Sequence, residues 1–344
     1  MSRSRTAALP VEEVACVVCG GTTHEIVCPA SDVEAQLAYL RRFHRRRLRA
    51  GAVNDAALED RADFTQSYIT DIVSCVACGL LFRSPRPTDD AVTRRYARDH
   101  YDREFLERAF TAQLPLARAH AARLARWLPA RPALRIVEVG SFVGSFLEAG
   151  HERGWNMLGV DPGLDVSTFC RQRGLPVYRG VLPHAPFEAT SVDAVTIWNT
   201  FDQIPDPEPI LKAAIKLLRP GGILAIRVPN GACFRWAQRL LRRRAPWNGW
   251  LRATLAWNNL LAFPYLYGYS LATLDRLVCR PPLTRVAVNT DVLVPLADDS
   301  TARWAALEER TLKAIDRIAG RLEYRLNGSP TIAPWLDVYY RAAG

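Results

Sequence analysis

The 344-residue sequence lacks any uninterrupted apolar run of about 18 residues, the length that a membrane-spanning helix requires. Its start, MSRSRTAALPVEEVACVVC, also lacks the apolar core of a secretory signal peptide. We therefore expect no spanning segment and a cytoplasmic location. With 49 % hydrophobic residues, the chain can bury the core of one large domain or of two modest ones.

Lysine is almost absent, so the net charge of +10 comes mainly from arginine. This excess has two interpretations. It reflects a biased base composition of the genome, or it favours an acidic partner such as a phosphate-bearing substrate, nucleic acid or a membrane surface.

The eight cysteines are not expected to form disulfides in a reducing compartment, so their spacing is examined for metal binding. Four of them form two matched C-x-x-C-G motifs, at Cys16 and Cys19 and at Cys75 and Cys78. Two such motifs supply the four thiolates of a closed structural Zn²⁺ site, whereas a redox centre normally needs one pair. His24 and Cys28 would become ligands only if one of these four cysteines did not.

An arginine-rich helix is predicted between the two motifs, at about Ser31–Ala50, with Leu37, Leu40, His44 and Leu48 near one face. The rest of the predicted helix surface carries six arginines, namely Arg41, Arg42, Arg45, Arg46, Arg47 and Arg49. This run suits a solvated face or a clamp for a phosphorylated substrate, and nucleic-acid binding is the less favoured alternative.

After the second motif, a helix capped by Thr88 is expected to continue to about Leu128. Tyr96, His100 and Tyr101 lie within two turns and can share one surface. That surface packs on the next domain or lines the active site.

The central region predicts a doubly wound α/β domain. Its strands are continuous apolar runs, as expected for a parallel sheet covered on both faces. They are Leu134–Val139, Met157–Asp161, Pro176–Tyr178, Val192–Trp198 and Gly222–Val228, and a helix at Pro207–Leu218 precedes the last of them.

The first strand leads into a glycine turn at Gly140–Gly144, a helix and a second strand that ends on Asp161. Glycines allow close backbone approach, and a carboxylate on the second strand can bind ribose hydroxyls, so this order is typical of a nucleotide-type cofactor site. A nicotinamide dehydrogenase is disfavoured, because its motif requires glycine where Phe142 and Ser145 stand.

The series EVGSFVGSF, GVDP and SVDAVTIWNTFDQIPDPEPILKAAIKLLRPGGILAIRVPN resembles the motifs of class I S-adenosylmethionine-dependent methyltransferases. The two cysteine motifs followed by SPRPT resemble the zinc-binding module attached to some methyltransferases of sugar and natural-product pathways. The resemblance implies a Rossmann-like seven-stranded sheet (α/β) with an amino-terminal zinc-ribbon-like module and a helical lid. It implies domains at 1–87, 88–130 and 131–344, with the lid at about 231–283.

The resemblance also implies which residues bind S-adenosylmethionine: Glu138, Gly140, Ser141, Phe142, Gly144, Asp161, Pro162 and Asn199. Asp161 corresponds to the acidic residue that binds the ribose hydroxyls. Two positions depart from the family pattern. Phe142 replaces its second glycine, and Val181 stands where an acidic residue usually binds the adenine amine. We expect the backbone to keep the turn at Phe142.

The remaining third predicts a substrate-covering lid rich in Trp, Tyr and Arg at Gly231–Tyr269, with a membrane or dimer contact as alternatives. A helix at Leu271–Cys279 capped by Ser270 and a sixth strand at Thr284–Val294 are expected. In the helix at Thr301–Leu326, Trp304, Leu307, Ile315, Ile318 and Leu322 are expected to face the protein. Trp335–Arg341 resembles the family's last strand, antiparallel between the fifth and sixth.

The sequence thus predicts an S-adenosylmethionine-dependent methyltransferase that acts on a small molecule or glycan, such as a nucleotide-linked sugar. If the acceptor must lose a proton, the candidate bases are Tyr96, His100, Tyr101 and Asp202. The alternatives are a nucleic-acid-directed methyltransferase or binder and a non-catalytic scaffold. The oligomeric state is not predicted.

Overall fold

The structure, a computed structural model, describes residues 10–52, 58, 69–98, 100–243 and 245–344. The first nine residues, for which the sequence predicts no signal peptide, lie outside this range. None of the predicted site residues does.

The amino-terminal module is built on a four-stranded antiparallel sheet. Three of its strands are β2 (His24–Cys28), β3 (Ile72–Cys75) and β4 (Leu81–Arg83), and the edge strand β11 (Tyr267–Gly268) comes from the carboxyl-terminal third. The predicted helix is present as α1 (Ala30–Arg45), shorter at its end than expected. Two short strands, β1 (Val11–Glu12) and β5 (Arg86–Pro87), pair separately.

Two helices, and not one, follow the module. Thr88 caps α2 (Asp89–Arg98) by accepting a hydrogen bond from the Ala91 N–H. The chain then leaves the helix, and Asp102 starts α3 (Arg103–Leu124) by accepting from the Phe105 N–H at 2.7 Å. The prediction of one continuous helix to Leu128 was wrong, because this second cap allows a new direction.

The central sheet has seven strands in the order β12-β13-β10-β9-β6-β7-β8. Pairing is parallel except at β13, which lies antiparallel between β10 and β12, as expected of the last strand. The strands are β6 (Arg135–Val139), β7 (Asn156–Asp161), β8 (Val177–Arg179), β9 (Val192–Trp198), β10 (Leu218–Pro229), β12 (Leu283–Asp291) and β13 (Trp335–Ala342).

Helices cover both faces of this sheet. Successive strand residues point to opposite faces, so Val137 and Leu224 pack on one side while Ile136 and Ile223 pack on the other. The first side is covered by α6 (Pro207–Leu217) and α9 (Leu271–Val278), and the second by α3, α4 (Ser145–His151) and α5 (Leu164–Gln172). The α/β class is confirmed.

The insert after β10 contains α7 (Gly231–Leu241), α8 (Asn248–Trp257), β11 and α9, and Ser270 caps α9 as predicted. Helices α7 and α8 share a hydrophobic core with α1, in which Phe43 packs edge-on against Trp257. The insert is therefore joined to the cysteine-containing module by a common core and, through β11, by a common sheet. The domain boundaries stay predictions.

The last helix, α10 (Arg303–Asn327), corrects the prediction made from its apolar stripe. Ile318 is 68 % exposed and Leu307 is 64 % exposed, and Trp304, Ile315 and Leu322 are exposed as well. The helix packs through its other face, where buried Glu309 accepts hydrogen bonds from Lys313 and from the Leu296 N–H. The prediction assumed that the charged side chains of this helix face water. In the structure, the partners of Glu309 and Lys313 lie inside the protein, so the charged face is the buried one. No helix in the described ranges is long and apolar enough to cross a membrane.

Candidate active site and metal centre

The glycine turn between β6 and α4 has the left-handed backbone that its sequence predicts. Gly140 and Gly144 have φ of 73° and 75°. A side chain at Gly140 would overlap with Thr200, which follows β9. Only glycine meets both demands, so Gly140 brings the turn against the loop after β9.

Asp161 at the end of β7 holds this turn. Its Oδ2 accepts a hydrogen bond from the Phe142 N–H at 2.9 Å, and its Oδ1 accepts one from the Gly163 N–H at 2.9 Å. Burial raises the pKa of Asp161, while these two N–H groups act in the opposite direction. The carboxylate therefore lies where the carboxyl ends of β6 and β7 meet.

Phe142 keeps the turn although it is not glycine. Its φ is 44°, and its carbonyl accepts from the Cys170 thiol at 3.2 Å. Its ring lies edge-on to Tyr101 at a centroid distance of 5.7 Å. The expected backbone path is thus present, and the ring is packed against the start of α3.

Glu138 and Ser141 line the same turn with unsatisfied polar atoms. Both side chains are buried, and neither Glu138 Oε2 nor Ser141 Oγ has a hydrogen-bond partner within the described part of the chain. Burial, followed by the charge of Asp161, raises the pKa of Glu138 well above its ordinary value. Buried polar groups are rarely left unpaired, so these atoms fit a polar ligand at the turn.

Tyr96 spans the carboxyl edge of the sheet above this turn. Its hydroxyl donates to Gln203 Oε1 at 2.5 Å, and Gln203 Nε2 donates to the Asn199 carbonyl at 2.8 Å. The Tyr96 carbonyl lies 3.8 Å from the position that a Cβ on Gly163 would take. Since β6 lies between β9 and β7, Tyr96 bridges the loops on either side of the glycine turn.

The neighbouring candidates take different positions. The Tyr101 N–H donates to Asp165 Oδ2 at 2.9 Å, and its ring stacks on Phe105. His100 Nδ1 lies 3.3 Å from the same carboxylate oxygen, but the His100 side chain is 84 % exposed. Tyr101 therefore packs beside the turn, whereas His100 lies at the surface.

The loop after β9 holds Asn199 and Asp202. Asn199 Oδ1 accepts from Arg227 Nε at 3.0 Å, so this side chain is directed toward β10. Asp202 is buried, its Oδ1 has no hydrogen-bond partner among the residues described, and burial raises its pKa to about 7. Burial is the main reason that the pKa of Tyr269 is raised, and the charges of Tyr267 and Asp202 raise it further.

Sequence patterns did not indicate Arg227, Gln203 or Tyr269 as site residues. Arg227 and Tyr269 lie in apolar or aromatic runs that predict core, and glutamine at Gln203 is a poor base, so it does not suggest a catalytic role. The position of Gln203 next to Asp202, after the fourth strand, was the one available signal.

The four predicted cysteines lie together. The sulfur atoms of Cys16 and Cys78 are 3.4 Å apart, those of Cys19 and Cys75 are 3.5 Å apart, and all four lie within 4.8 Å of one another. Tetrahedral Zn²⁺ with bonds of about 2.3 Å separates its sulfurs by about 3.8 Å, so this spacing fits the ion. Burial raises the pKa of Cys75, but the N–H groups of Cys78 and Ala77 and the Cys19 thiol lower it to about 7 overall.

His24 and Cys28 are not part of this cluster. His24 packs edge-on against Phe82, and Cys28 Sγ accepts a hydrogen bond from Gln36 Nε2. A second group of metal-ligand types, His120, Asp291 and Asp337, is buried under the sheet. Arg227 and Arg123 form ion pairs with both of its carboxylates, so cationic side chains already neutralise them.

Residues 99–264 match the model of the methyltransferase domain family. The chain contains an S-adenosylmethionine-dependent methyltransferase domain. The matched residues of this methyltransferase domain include the glycine turn, Asp161 and the loop after β9.

Curated relatives of the methyltransferase domain include the ubiquinone biosynthesis O-methyltransferases of Cronobacter sakazakii and Hydrogenovibrio crunogenus. The first is 27 % identical over 109 residues, 30 % of this chain and 45 % of the relative. The second is 32 % identical over 94 residues, 25 % of this chain and 39 % of the relative. The chain thus spans less than half the length of either relative.

Among solved structures, a chain of the complex between the Trm112 methyltransferase activator of Haloferax volcanii and a methyltransferase is similar. It is 17 % identical, covers 73 % of this chain and 98 % of its own length, and gives a TM-score of 0.44. A methyltransferase from Archaeoglobus fulgidus, 15 % identical, covers 70 % of this chain and 100 % of its own, with a TM-score of 0.44.

Proposed function

We propose that this protein transfers a methyl group from S-adenosylmethionine to a small-molecule or glycan acceptor. The observation that carries the proposal is the group of buried, unpaired polar atoms at the glycine turn, Glu138 Oε2 and Ser141 Oγ, beside the Asp161 carboxylate. The cofactor supplies a methyl group on a sulfonium, which is open to in-line attack. The protein then mainly has to align the acceptor and exclude water.

The cofactor would be held by the residues that the family motif indicates: Glu138, Gly140, Ser141, Phe142, Gly144, Asp161 and Pro162. Asp161 is already fixed by two backbone N–H groups, and a carboxylate has further lone pairs that would accept the ribose hydroxyls. Asn199 acts in this proposal as a positioning residue, since its side chain is bound by Arg227 and its carbonyl by Gln203.

Among the four candidate bases, Asp202 has the environment best suited to take a proton near neutral pH. A general base is most effective when its pKa lies near the operating pH, and burial brings the pKa of Asp202 to about 7. Tyr96 and Tyr101 would instead border the cofactor site, since Tyr96 bonds Gln203 and Tyr101 packs on Phe142. His100 is the most exposed of the four.

We also propose that Cys16, Cys19, Cys75 and Cys78 bind one structural Zn²⁺. The four thiol groups are close enough, and a positive φ at Gly20 and Gly79 closes each of the two turns. The ion would stabilise the module that supplies three strands to the sheet completed by β11. Thiolate ligands must stay reduced, which fits a cytoplasmic location.

Two of the six arginines in the predicted run, Arg47 and Arg49, lie beyond the end of α1 and are bound by other parts of the protein. Arg47 forms a bidentate ion pair with Glu308 at 2.6 and 2.8 Å, and Arg49 donates to the Thr301 carbonyl. These two arginines therefore join the segment after α1 to the first residues of α10 and the segment before it, a structural role that does not require nucleic acid.

The proposal is tested with methyl-labelled S-adenosylmethionine and an extract of small molecules and glycans from the source cells. Wild-type protein should transfer label to one chromatographic fraction, and calorimetry should detect cofactor binding. Cofactor binding without transfer to any fraction would contradict the proposed activity, and no binding would contradict the site. For the base, pH–rate profiles of Tyr96→Phe, His100→Gln, Tyr101→Phe and Asp202→Asn are compared, and four unchanged profiles would exclude all of them.

A further inference from the structure

The outer face of α10 is apolar and basic along its whole length. Its exposed residues include Leu307, Ile318, Leu322 and Leu326, with exposed fractions from 56 % to 73 %. The exposed arginines beside them are Arg303, Arg310, Arg321 and Arg325. At 25 residues, α10 extends about 37 Å, so this outer face is a long, narrow apolar surface with a cationic border.

No acidic residue of α10, which is described throughout, is exposed on this outer face. Each acid has a partner on the protein side: Glu308 with Arg47, Glu309 with Lys313, Asp316 with Asn258, and Glu323 with the Ile332 N–H. Within α10, therefore, the charged groups beside the exposed apolar side chains are all cationic.

Two tryptophans extend this surface onto the neighbouring helix. Trp250 of α8 and Ile315 of α10 line one small pocket between the two helices, and Trp250 is 45 % exposed. Trp247, at the start of α8, is 55 % exposed. Tryptophan, with an apolar ring and a polar N–H, favours the boundary between water and lipid.

We propose that the outer face of α10, together with Trp247 and Trp250, binds the surface of an anionic lipid bilayer. Leucine and isoleucine would enter the boundary of the acyl chains, and the arginines would meet the anionic headgroups. A second copy of this chain fits less well as the partner. Its own α10 face carries the same arginines, and like charges would repel each other across the contact. This inference does not depend on the proposed methyl transfer.

The experiment is co-sedimentation of the whole chain with vesicles of phosphatidylcholine alone and with vesicles that also contain phosphatidylglycerol. Wild-type protein should bind the anionic vesicles at least about tenfold more tightly, and added salt should weaken the binding. Ile318→Glu/Leu322→Glu and Arg321→Glu/Arg325→Glu should each weaken it by about tenfold or more. The altered side chains are exposed, so the unfolding midpoint should stay close to that of the wild type.

The matched control is Arg171→Glu/Arg276→Glu. It makes the same charge change at exposed positions of α5 and α9 and should retain most of the binding. If the control variant loses as much binding as Arg321→Glu/Arg325→Glu, the proposal is overturned, because the net charge of the protein and not this face would then explain the binding. Absence of binding to either vesicle would overturn the proposal. A dimer in sedimentation that Ile318→Glu dissociates, without vesicle binding, would identify the face as a contact between copies.

Discussion

The Phe142 N–H donates a hydrogen bond to Asp161 Oδ2 at 2.9 Å, which joins the glycine turn after β6 to the end of β7. Through this contact, the residue that departs from the family's glycine pattern is held by the residue expected to bind ribose. The left-handed backbone of Phe142 is thereby stabilised by a buried side-chain acceptor.

Replacing Asp161 tests the cofactor site. Asp161→Ala should weaken S-adenosylmethionine binding by about 10- to 100-fold, since hydrogen bonds to a charged group contribute about 1.5–3 kcal/mol. Isothermal titration calorimetry measures the affinity. The control is Asp206→Ala, which removes an exposed helix cap and should lower stability by about 1 kcal/mol without changing affinity. Unchanged affinity in Asp161→Ala would remove this stretch from the cofactor site.

Gly140 and Gly154 form a matched pair for the glycine turn. Both have φ near 74°, but a Cβ at Gly154 meets nothing within 4 Å, whereas one at Gly140 overlaps with Thr200. Gly154→Ala should cost about 1 kcal/mol of unfolding free energy from backbone strain alone. Gly140→Ala should cost about 2 kcal/mol more because the loop after β9 must move. Urea unfolding measures both, and equal losses would mean that the two loops do not pack closely.

Asp202 should make stability depend on pH. Its pKa is raised from 3.8 to about 7 in the folded protein, so the folded state binds more protons between these values. The free energy of unfolding therefore falls as the pH rises from about 4 to about 7, and this loss persists above pH 7. Asp202→Asn should raise the unfolding free energy by roughly 2–4 kcal/mol at pH 8 and change it little near pH 4.

The control for this pH dependence is Asp206→Asn at an exposed cap, which should keep the wild-type slope between pH 4 and pH 7. An Asp202→Asn variant with that same slope would show that Asp202 is ionised in the folded protein at low pH.

The four-cysteine cluster predicts a dependence of stability on metal. Wild-type protein should contain one zinc ion per chain, and Cys78→Ser should lose it and lower the unfolding temperature, since a structural ion contributes directly to folding. Elemental analysis and thermal unfolding measure these effects. Cys279→Ser alters an exposed cysteine outside the cluster and should retain the ion. Protein purified without zinc and with Cys16 linked to another cysteine would contradict the proposal.

The sequence predicted the features that local physics controls. Continuous apolar runs predicted the central strands within a few residues, and the caps at Thr88 and Ser270 marked the starts of α2 and α9. The conformations of the glycine turn and of the two C-x-x-C-G motifs were also predictable. Each depends only on a few neighbouring residues and on a glycine that can adopt a positive φ.

Contacts between distant parts of the chain were decided by the tertiary structure. The Tyr96 hydroxyl meets Gln203, the Asn199 side chain is directed to Arg227, and β11 joins a sheet formed by residues far earlier in the sequence. No local pattern encodes these partners, since they follow from how the strands are ordered.

The same distinction explains α10. The period of its apolar residues correctly predicted a helix, but not which face is buried, because Glu309 and Asp316 find partners inside the protein. The sequence by itself thus determined the order of the elements, the turn and the two cysteine motifs. The tertiary structure decided which side chains meet at the glycine turn and which apolar face is exposed, since burial of a charge depends on partners that only the fold supplies.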